Sequence, residues 1–420
     1  MKEDGSLKYV LVIGDGMADV PLPELGGKTP LQHAKTPAMD AIASAGELGS
    51  VLTIPKGMPA GSDTAILSIF GCDPRICYTG RAPLEAAATG IVLSPGDVAY
   101  RCNMVTFEDG NIPFEEKRIV SHSAGSIEGE ESAELVTELF EAPEFSEAAR
   151  DAGMSIYPAL SFRHIAVQKV KDIAGLELTP PHDHLGDSLG QHLPRGGKNA
   201  AVLERLMRLA HKELDGHPLN MKRRAEGKLP ANGVWFWAEG TVAELPNFKE
   251  KHGKTGGVIS AVPLCHGIGA LIGLEMIFVE GATGELHTNY EGKVDAAIEV
   301  LKNNDFVAIH VEAPDECTHD GDLSGKLQAI EWIDSRVINP LTQRLREAGE
   351  DFRLLIISDH KTLTTTRGHD GAPVPFVIYD SRYNRNTGLS FCEDDAGPGR
   401  FIEDGTVLMS ILFGGESDRE

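Results

Sequence analysis

The sequence predicts an α/β protein whose mainly parallel sheet is flanked by helices. Three apolar runs rich in β-branched residues, Tyr9–Ile13, Phe306–Val311 and Leu354–Ser358, are typical of strands that are buried on both faces. A fourth run, Phe376–Tyr379, is expected to join the same sheet. Helix-period segments separate these runs, and alternating strands and helices indicate an α/β fold.

Two helices are predicted with some detail in the second half of the chain. Lys293–Lys302 has the period of an amphipathic helix. Apolar residues three or four apart between Leu327 and Leu345 predict another helix. Pro340 falls inside it, and we expect a kink there because proline lacks the N–H that a helix interior needs.

The chain is long for a single core, and its pattern changes between residues 96 and 254. This stretch contains a strand candidate at Val98–Thr106, an acidic helix near Glu130–Phe140 and the polar loop Thr179–His184. We interpret it as a smaller α+β domain, residues 96–254, inserted into a discontinuous core of residues 1–95 and 255–420.

Charge and composition exclude several classes of partner. With 39 basic and 63 acidic side chains, the net charge is −24, which disfavours nucleic acid and anionic membranes as partners. A small anionic substrate would need a local basic pocket or bound cations. The apolar run near the N-terminus is too short for a signal peptide or a membrane span. The six cysteines form no CxxC pair, so a cytoplasmic protein is expected.

Carboxylates and imidazoles follow the predicted strands, at the sheet edge where ligands gather in α/β proteins. Asp315 and His319 are one helical turn apart and would share a helix face. Asp359 and His360 are adjacent at a strand end, where their side chains diverge and can each serve a different metal of a pair. The ligand set suits Mn²⁺, Zn²⁺ or Fe²⁺ better than Ca²⁺. The candidate metal ligands are Asp15, Asp315, His319, Asp359, His360 and His369.

Ser62 stands in Gly61–Ala65, directly before the apolar stretch Ala65–Phe70. One interpretation is a helix N-cap, which serine commonly provides. The other is a nucleophile, because the N–H groups of a helix start attract a phosphoryl group and a nearby metal lowers the pKa of the hydroxyl. The local sequence leaves both interpretations open. The same holds for His182-Asp183-His184, which could bind a metal but is also typical of a solvated loop.

The chain contains the motifs Asp15–Asp19, Leu25–Leu31, Gly61–Ala65, Tyr78–Arg81, Glu312–Glu316, His319, Ser358–His360 and Pro373–Phe376. Together they resemble the archaeal-type, cofactor-independent phosphoglycerate mutases of the alkaline-phosphatase superfamily, which include a bacterial branch proposed to be homoserine kinases. The resemblance extends over nearly the whole chain. It implies an alkaline-phosphatase-like core and interconversion of 3- and 2-phosphoglycerate through a phosphoserine at Ser62.

The resemblance also implies a set of ligands. Asp315, His319 and His369 would hold one divalent metal. The other would be held by Asp15, Ser62, Asp359 and His360. Manganese is the favoured ion, with zinc, magnesium and cobalt as alternatives, and no 2,3-bisphosphoglycerate is needed. The family usually has Pro-Thr-Pro where Lys361-Thr362-Leu363 follow the Asp-His pair here.

The inserted domain is expected to act as a lid that binds the small phosphorylated substrate. Guanidinium groups bind phosphate and carboxylate through paired hydrogen bonds. The candidates are Arg101, Arg163, His164 and Arg223, which could instead be surface or hinge residues.

Other functions stay open at this stage. A homoserine kinase-like phosphotransferase would use the same two-metal core, and a phosphatase would transfer the phosphoryl group to water. A sulfatase is disfavoured because no Cys-x-Pro-x-Arg motif surrounds Ser62. A non-catalytic binding protein would be favoured by loss of a ligand or of the serine, and none is lost.

Overall fold

The strands of the computed structural model, which describes residues 7–170 and 173–415, lie in three sheets. They are β1 (Lys8–Gly14), β2 (Glu47–Val51), β3 (Asp97–Phe107), β4 (Ile119–Ser121), β5 (Met154–Tyr157), β6 (Arg163–Lys169), β7 (Gly233–Thr241), β8 (Gly256–Ile259), β9 (Glu275–Ile277), β10 (Phe306–Val311), β11 (Phe352–Ile357), β12 (Lys361–Leu363), β13 (Gly368–Asp370), β14 (Val374–Asp380) and β15 (Arg400–Ile402).

The α-helices of the described residues are α1 (Pro30–His33), α2 (Pro37–Ala45), α3 (Ser62–Ile69), α4 (Pro74–Cys77), α5 (Arg81–Ala88), α6 (Glu130–Glu141), α7 (Pro143–Asp151), α8 (Ala200–Asp215), α9 (Pro218–Ala225), α10 (Phe248–His252), α11 (Pro263–Leu271), α12 (Tyr290–Asn303), α13 (Ala313–His319), α14 (Leu323–Ile333), α15 (Asn339–Ala348), α16 (Glu393–Ala396) and α17 (Leu408–Leu412). None of them has the length and apolar character that crossing a bilayer requires.

The chain divides into two units, Met1–Tyr78 with Glu244–Glu420 (unit 1) and Thr79–Ala243 (unit 2). These limits differ from the predicted boundaries at both ends. Helix α5 belongs to unit 2 because Ala82 and Ala86 pack with side chains of β3 and β6. Helix α10 belongs to unit 1 because Phe248 packs against Phe306, with ring centroids 5.1 Å apart. The limits of the two units therefore follow the apolar contacts of α5 and α10 and not the change in sequence pattern.

Unit 1 is built on an eight-stranded sheet of order β15-β2-β14-β11-β1-β10-β8-β9. Its pairings are parallel except those of β14 with β11 and β2. Strand β1 lies between β10 and β11, and its residues Val10–Ile13 are fully buried. The prediction of an α/β fold with a mainly parallel sheet is confirmed.

The run Phe376–Tyr379 joins the same sheet as expected, as part of β14, which runs antiparallel to β11. A parallel return needs a crossover connection, which is usually a helix. Here the residues between β11 and β14 form the antiparallel hairpin of β12 and β13 instead. The chain therefore enters β14 running in the direction opposite to β11.

The predicted helices are present, and one contains an irregularity. Lys293–Lys302 lies within α12, and the helix predicted from Leu327 to Leu345 is divided into α14 and α15. A π-helical turn, Asp334–Ile338, joins these two helices. Pro340 lies in the first turn of α15, where a missing N–H is tolerated. The structure thus accommodates the proline with a π-turn.

Unit 2 contains an antiparallel sheet in which β3 pairs with β6 and β7 along its edges and with β4 at its end, while β5 pairs with β6. Its core is aromatic, with Tyr100, Phe107, Trp235 and Phe236 buried. The predicted strand Val98–Thr106 and the acidic helix near residues 130–140 correspond to β3 and α6.

Candidate active site

Three neighbouring parallel strands of unit 1 end beside the residues that the sequence singled out. Asp15 follows β1, Glu312 follows β10, and Asp359 follows Ser358 at the end of β11. Since β10 and β11 flank β1, these ends lie side by side at one edge of the sheet. Asp15, Asp359 and His360 are fully buried, and their ligand atoms lie within 4.8 Å of one another. The predicted convergence of the strand ends is what the fold produces.

Ser62 is the first residue of α3, and its hydroxyl faces this group. Its Oγ lies 3.3 Å from Asp15 Oδ2 and 3.1 Å from His360 Nε2. The residue before it, Gly61, occupies the N-cap position with extended backbone and no side chain to cap the helix. The serine is therefore not an N-cap: its side chain is free to contact acidic and imidazole groups at the positive end of the helix dipole.

A second group of side chains lies around Asp315. His319 Nε2 is 3.1 Å from Asp315 Oδ2, because one turn of α13 places both on one face, as predicted. His369, on the β12–β13 hairpin, places its Nε2 2.9 Å from His319 Nε2 and 3.5 Å from Asp315 Oδ1. Two imidazole nitrogens and a carboxylate thus face each other, an arrangement that suits a shared cation.

The hairpin also joins the two groups. Thr362 is fully buried on β12, and its hydroxyl donates to Asp315 Oδ1 at 2.5 Å and contacts His360 Nδ1 at 3.2 Å. The rings of His360 and His369 lie 4.2 Å apart. Thr362 stands in the segment where the sequence departs from the family pattern, and it keeps the contacts that orient both ligand groups.

The electrostatics of the two groups require positive charge. Burial and the charge of Asp359 raise the pKa of Asp15 well above its usual range. Although burial opposes it, hydrogen bonding to His319 and His369 holds the pKa of Asp315 well below its usual range. The same hydrogen bond to Asp315 raises the pKa of His319 to about 9. Protons thus supply part of the charge that a metal ion would supply.

Buried acceptor atoms without a partner indicate that the residues fit divalent cations. Asp15 Oδ1, Glu312 Oε2 and Asp359 Oδ2 are buried and have no hydrogen-bond partner among the described residues. Such atoms are rare in folded proteins because each costs roughly 1–3 kcal/mol. Oxygen and nitrogen donors in this proportion suit Mn²⁺, Zn²⁺ or Mg²⁺.

The four candidates of unit 2 fall into two pairs. Arg101 donates to Glu85 through Nε at 2.8 Å and through a second guanidinium nitrogen, and its guanidinium carbon lies 4.6 Å from the centre of the Trp237 ring. Arg163 lies over the same ring at 5.9 Å, and its buried Nε has no hydrogen-bond partner within the described residues. Burial and the charge of Arg101 lower the pKa of Arg163 to about 10. These two arginines form a positive pair.

His164 and Arg223 are held by contacts within unit 2. His164 is fully buried, and its ring nitrogens contact Ser132 Oγ at 3.2 Å and accept the N–H of Ala159 at 2.9 Å. Arg223 donates to Glu131 at 2.6 Å and to the carbonyls of Ala124 and Leu229. Their assignment as substrate ligands stays a prediction, and these contacts favour a structural role for both.

Comparison with known proteins relates this site to a family. The model of the 2,3-bisphosphoglycerate-independent phosphoglycerate mutase family matches residues 43–220. A protein of that name from Methanosarcina barkeri is 45% identical over 409 residues, which cover 97% of this chain and 98% of the relative. The chain belongs to this family. A probable phosphoglycerate mutase of the same type from Geobacter sulfurreducens is 44% identical over 97% of this chain and 100% of its own length.

Solved structures agree with the assignment to this mutase family. A protein from Pyrococcus horikoshii has 32% sequence identity and a TM-score of 0.78, covering 97% of this chain and 96% of its own. A cofactor-independent phosphoglycerate mutase from Thermoplasma acidophilum has 26% identity and a TM-score of 0.62, with coverage of 97% and 98%. The similarity thus spans both units of the chain.

Two residues of this mutase site were not predicted as ligands. His310 is fully enclosed in β10, and its Nε2 lies 2.9 Å from Asp15 Oδ2 while its Nδ1 contacts Ser260 Oγ at 3.0 Å. Burial lowers the pKa of His310 to about 3, so it is a neutral ring that orients Asp15. Glu312 was seen only as part of a motif. Burial and the charge of Asp315 raise its pKa to about 8.

Proposed function

We propose that this chain interconverts 3-phosphoglycerate and 2-phosphoglycerate, without 2,3-bisphosphoglycerate, through a phosphoserine formed at Ser62. The observation that carries the proposal is the position of the Ser62 hydroxyl, at the start of α3 and within 3.3 Å of Asp15 and His360. A hydroxyl in this position is a nucleophile beside cation ligands. The names of the relatives supply the substrate.

The seven ligand candidates would hold two divalent metal ions, with manganese the favoured ion. Asp315, His319 and His369 form one set, and Asp15, Ser62, Asp359 and His360 form the other. When bound, such ions lower the pKa of the serine hydroxyl and neutralise charge on the phosphoryl oxygens. The orphaned carboxylate atoms of Asp15 and Asp359 support this assignment.

The chain's own residues account for the transfer. Ser62 Oγ bonds to phosphorus as the bond between phosphorus and the substrate oxygen breaks, and the hydroxyl proton leaves Ser62 towards Asp15 Oδ2. The substrate oxygen takes up the proton that Ser62 released, and glycerate is formed. In the second half-reaction the other hydroxyl of glycerate bonds to phosphorus as the bond between phosphorus and Ser62 Oγ breaks, and its proton returns to Ser62 by way of Asp15. The phosphoryl group therefore passes to glycerate and not to water. The start of α3 directs its positive dipole end at the transferred group.

Arg101 and Arg163 bind the anionic groups of the substrate. The unpartnered Nε of Arg163 is available to a carboxylate or phosphate oxygen. Arg101 is held by Glu85, so its guanidinium is fixed in orientation before an anion binds. Retention of glycerate by this pair would distinguish a mutase from a phosphatase, because the intermediate must stay bound while it reorients.

The products formed from 3-phosphoglycerate test the proposal. Purified protein supplied with manganese should form 2-phosphoglycerate much faster than inorganic phosphate, and the activity should be lost on chelation and regained with metal. Dominant release of phosphate would make the enzyme a phosphatase. Absence of turnover, together with phosphorylation of homoserine by ATP, would replace the mutase by the homoserine kinase alternative. Elemental analysis of active protein that shows no transition metal would contradict the metal assignment.

A further inference from the structure

A loop of unit 2 carries a group of side chains that the proposed reaction does not use. The ligand atoms of His184, Asp187 and His192 lie within 4.8 Å of one another. Asp187 Oδ2 is 3.4 Å from His184 Nδ1 and 3.1 Å from His192 Nε2. The sequence pattern drew attention to His182 and His184 in this loop, but in the folded chain Asp187 and His192 are the partners of His184.

The backbone of this loop is held in place by contacts that do not involve the three side chains. Gly186 N–H donates to the carbonyl of Ile119 at 2.8 Å, and Ile119 N–H donates to the carbonyl of Asp187 at 3.1 Å. The Thr179 hydroxyl donates to the carbonyl of His192 at 2.8 Å. The side chains are therefore attached to a fixed backbone, which lowers the cost of organising them around a ligand.

The ligand atoms of these side chains are close enough together to reach one metal ion. The rings of His184 and His192 stack with centroids 3.7 Å apart and an angle of 19° between their planes. One ring would need to rotate out of this stack for both imidazoles to direct a ring nitrogen at the same ion, because imidazole binds a metal in the plane of its ring. The side chains of His184, Asp187 and His192 are 27%, 49% and 13% exposed, which leaves one side open to water.

We propose that His184, Asp187 and His192 bind a divalent transition metal ion of the zinc class, at a site separate from the two ligand groups of unit 1. Two imidazoles and one carboxylate are a common ligand set for zinc, with water completing the coordination. This set has too few oxygen donors for Ca²⁺ or Mg²⁺, which prefer all-oxygen sites.

The ion would fasten a loop that supports the arginine pair. Trp235 Nε1 donates to the carbonyl of Thr179 at 2.8 Å, and the ring of His182 lies 5.2 Å from that of Trp237. Trp237 is the ring on which Arg101 and Arg163 lie. Metal binding would thus link His192 to His184, two residues after the histidine that packs against this tryptophan.

The test counts zinc ions per chain in the full-length protein. Wild type, Asp187→Asn, His192→Ala and the control Asp183→Asn are stripped with chelator, dialysed against Zn²⁺ alone and analysed for zinc. Asp183 is an exposed carboxylate of the same loop and outside the cluster. Since unit 1 is unaltered in every variant, its zinc content stays constant. We expect one ion fewer per chain in Asp187→Asn and His192→Ala than in wild type and Asp183→Asn, and equal zinc contents in all four proteins would overturn the proposal.

Hydrogen exchange locates the effect. Zinc should slow exchange of amides between residues 179 and 193 in wild type and Asp183→Asn, and leave it unchanged in Asp187→Asn. Circular dichroism establishes that each variant is folded, and the two cluster variants remove different ligands, so misfolding of one leaves the other informative. Slowed exchange in Asp187→Asn equal to that of wild type would also refute the site.

Discussion

Unit 1 and unit 2 each bury a cluster of charged side chains, but the two clusters leave opposite kinds of atom without a partner. Among the described residues of the unit 1 cluster, carboxylate oxygens of Asp15, Glu312 and Asp359 make no hydrogen bond. In the described part of the unit 2 cluster, a donor, the Nε of Arg163, makes none. The first cluster therefore offers acceptors to a cation, and the second offers a donor to an anion. The kind of atom that makes no hydrogen bond, acceptor or donor, therefore indicates the charge of the ligand that each cluster would bind. The overall charge of −24 does not carry this information.

The largest effect is expected at the nucleophile of the unit 1 cluster. Ser62→Ala should lower kcat by roughly 10⁴-fold or more, because removing a covalent nucleophile leaves only binding and electrostatic effects. Ser68→Ala is the matched control, since Ser68 lies on the same helix and its buried hydroxyl has no hydrogen-bond partner. Phosphoglycerate turnover and mass spectrometry of the trapped phosphoserine measure the result. Wild-type turnover in Ser62→Ala would exclude the covalent route.

A smaller effect is expected at the donor of the unit 2 cluster. Arg163→Gln should raise KM for 3-phosphoglycerate by about 100-fold, since a hydrogen bond to a charged group contributes roughly 1.5–3 kcal/mol. The change should alter the melting temperature only slightly, because it removes the contact with the Trp237 ring but no hydrogen bond of Arg163 Nε within the described residues. Arg208→Gln is a suitable control, because Arg208 is a partly exposed arginine of unit 2 that pairs with Glu115 and Glu204 and is not a substrate candidate. An unchanged KM in Arg163→Gln would remove Arg163 from the substrate site.

The acidic cluster should also affect the stability of the metal-free protein. Burial and Asp315 raise the pKa of Glu312 from 4.5 to about 8 in the folded state, so folded protein binds the proton more tightly than unfolded protein does. The contribution of Glu312 to the free energy of unfolding is therefore fully present below pH 4.5 and is lost as the pH rises towards 8. Glu312→Gln should raise the free energy of unfolding at pH 8 by about 1–3 kcal/mol and have little effect at pH 4.

Denaturant unfolding of chelator-treated protein at the two pH values measures this difference. Glu316→Gln serves as the comparison, since it removes a neighbouring carboxylate that is less deeply enclosed. If Glu312→Gln instead lowers the free energy of unfolding at pH 8, the Glu312 carboxylate stabilises the metal-free protein and the prediction is wrong.

The smallest effect on catalysis is expected at Arg223. Its donors bind Glu131 and two carbonyls, so Arg223→Gln should destabilise the protein by roughly 1–3 kcal/mol while KM stays within about twofold of wild type. Thermal unfolding and steady-state kinetics measure the two quantities. A large rise in KM without loss of stability would indicate that Arg223 binds the substrate.

Residues at strand ends were predictable, while residues inside strands were not. Asp15, Asp359 and His360 stand out because they interrupt apolar runs, and parallel strands bring such interruptions to one edge. His310 lies within the run Phe306–Val311, where a single histidine does not change the pattern of a buried strand. Its role depends on which strand becomes its neighbour, and sequence periodicity does not carry that information.

The inserted unit shows the same limit. Its secondary structure was recognisable from local patterns, but its end points depend on apolar contacts of α5 and α10 with other elements. The direction of β14 depends likewise on how the preceding residues pair. An arginine or histidine that holds its own unit together, such as Arg223 or His164, looks the same in the sequence as one that binds a substrate.

The central position of β1 has a consequence for the order in which the chain folds. This strand precedes both of its neighbours in the chain, which begin at Phe306 and Phe352, and β2 likewise precedes its partners β14 and β15. The strands of unit 2, by contrast, pair with one another within residues 97–241. During synthesis all strands of unit 2 are therefore available to pair before the neighbours of β1 and β2 have been made. We expect assembly of the long-range sheet, and with it the active site, to be the slow final step at the ribosome.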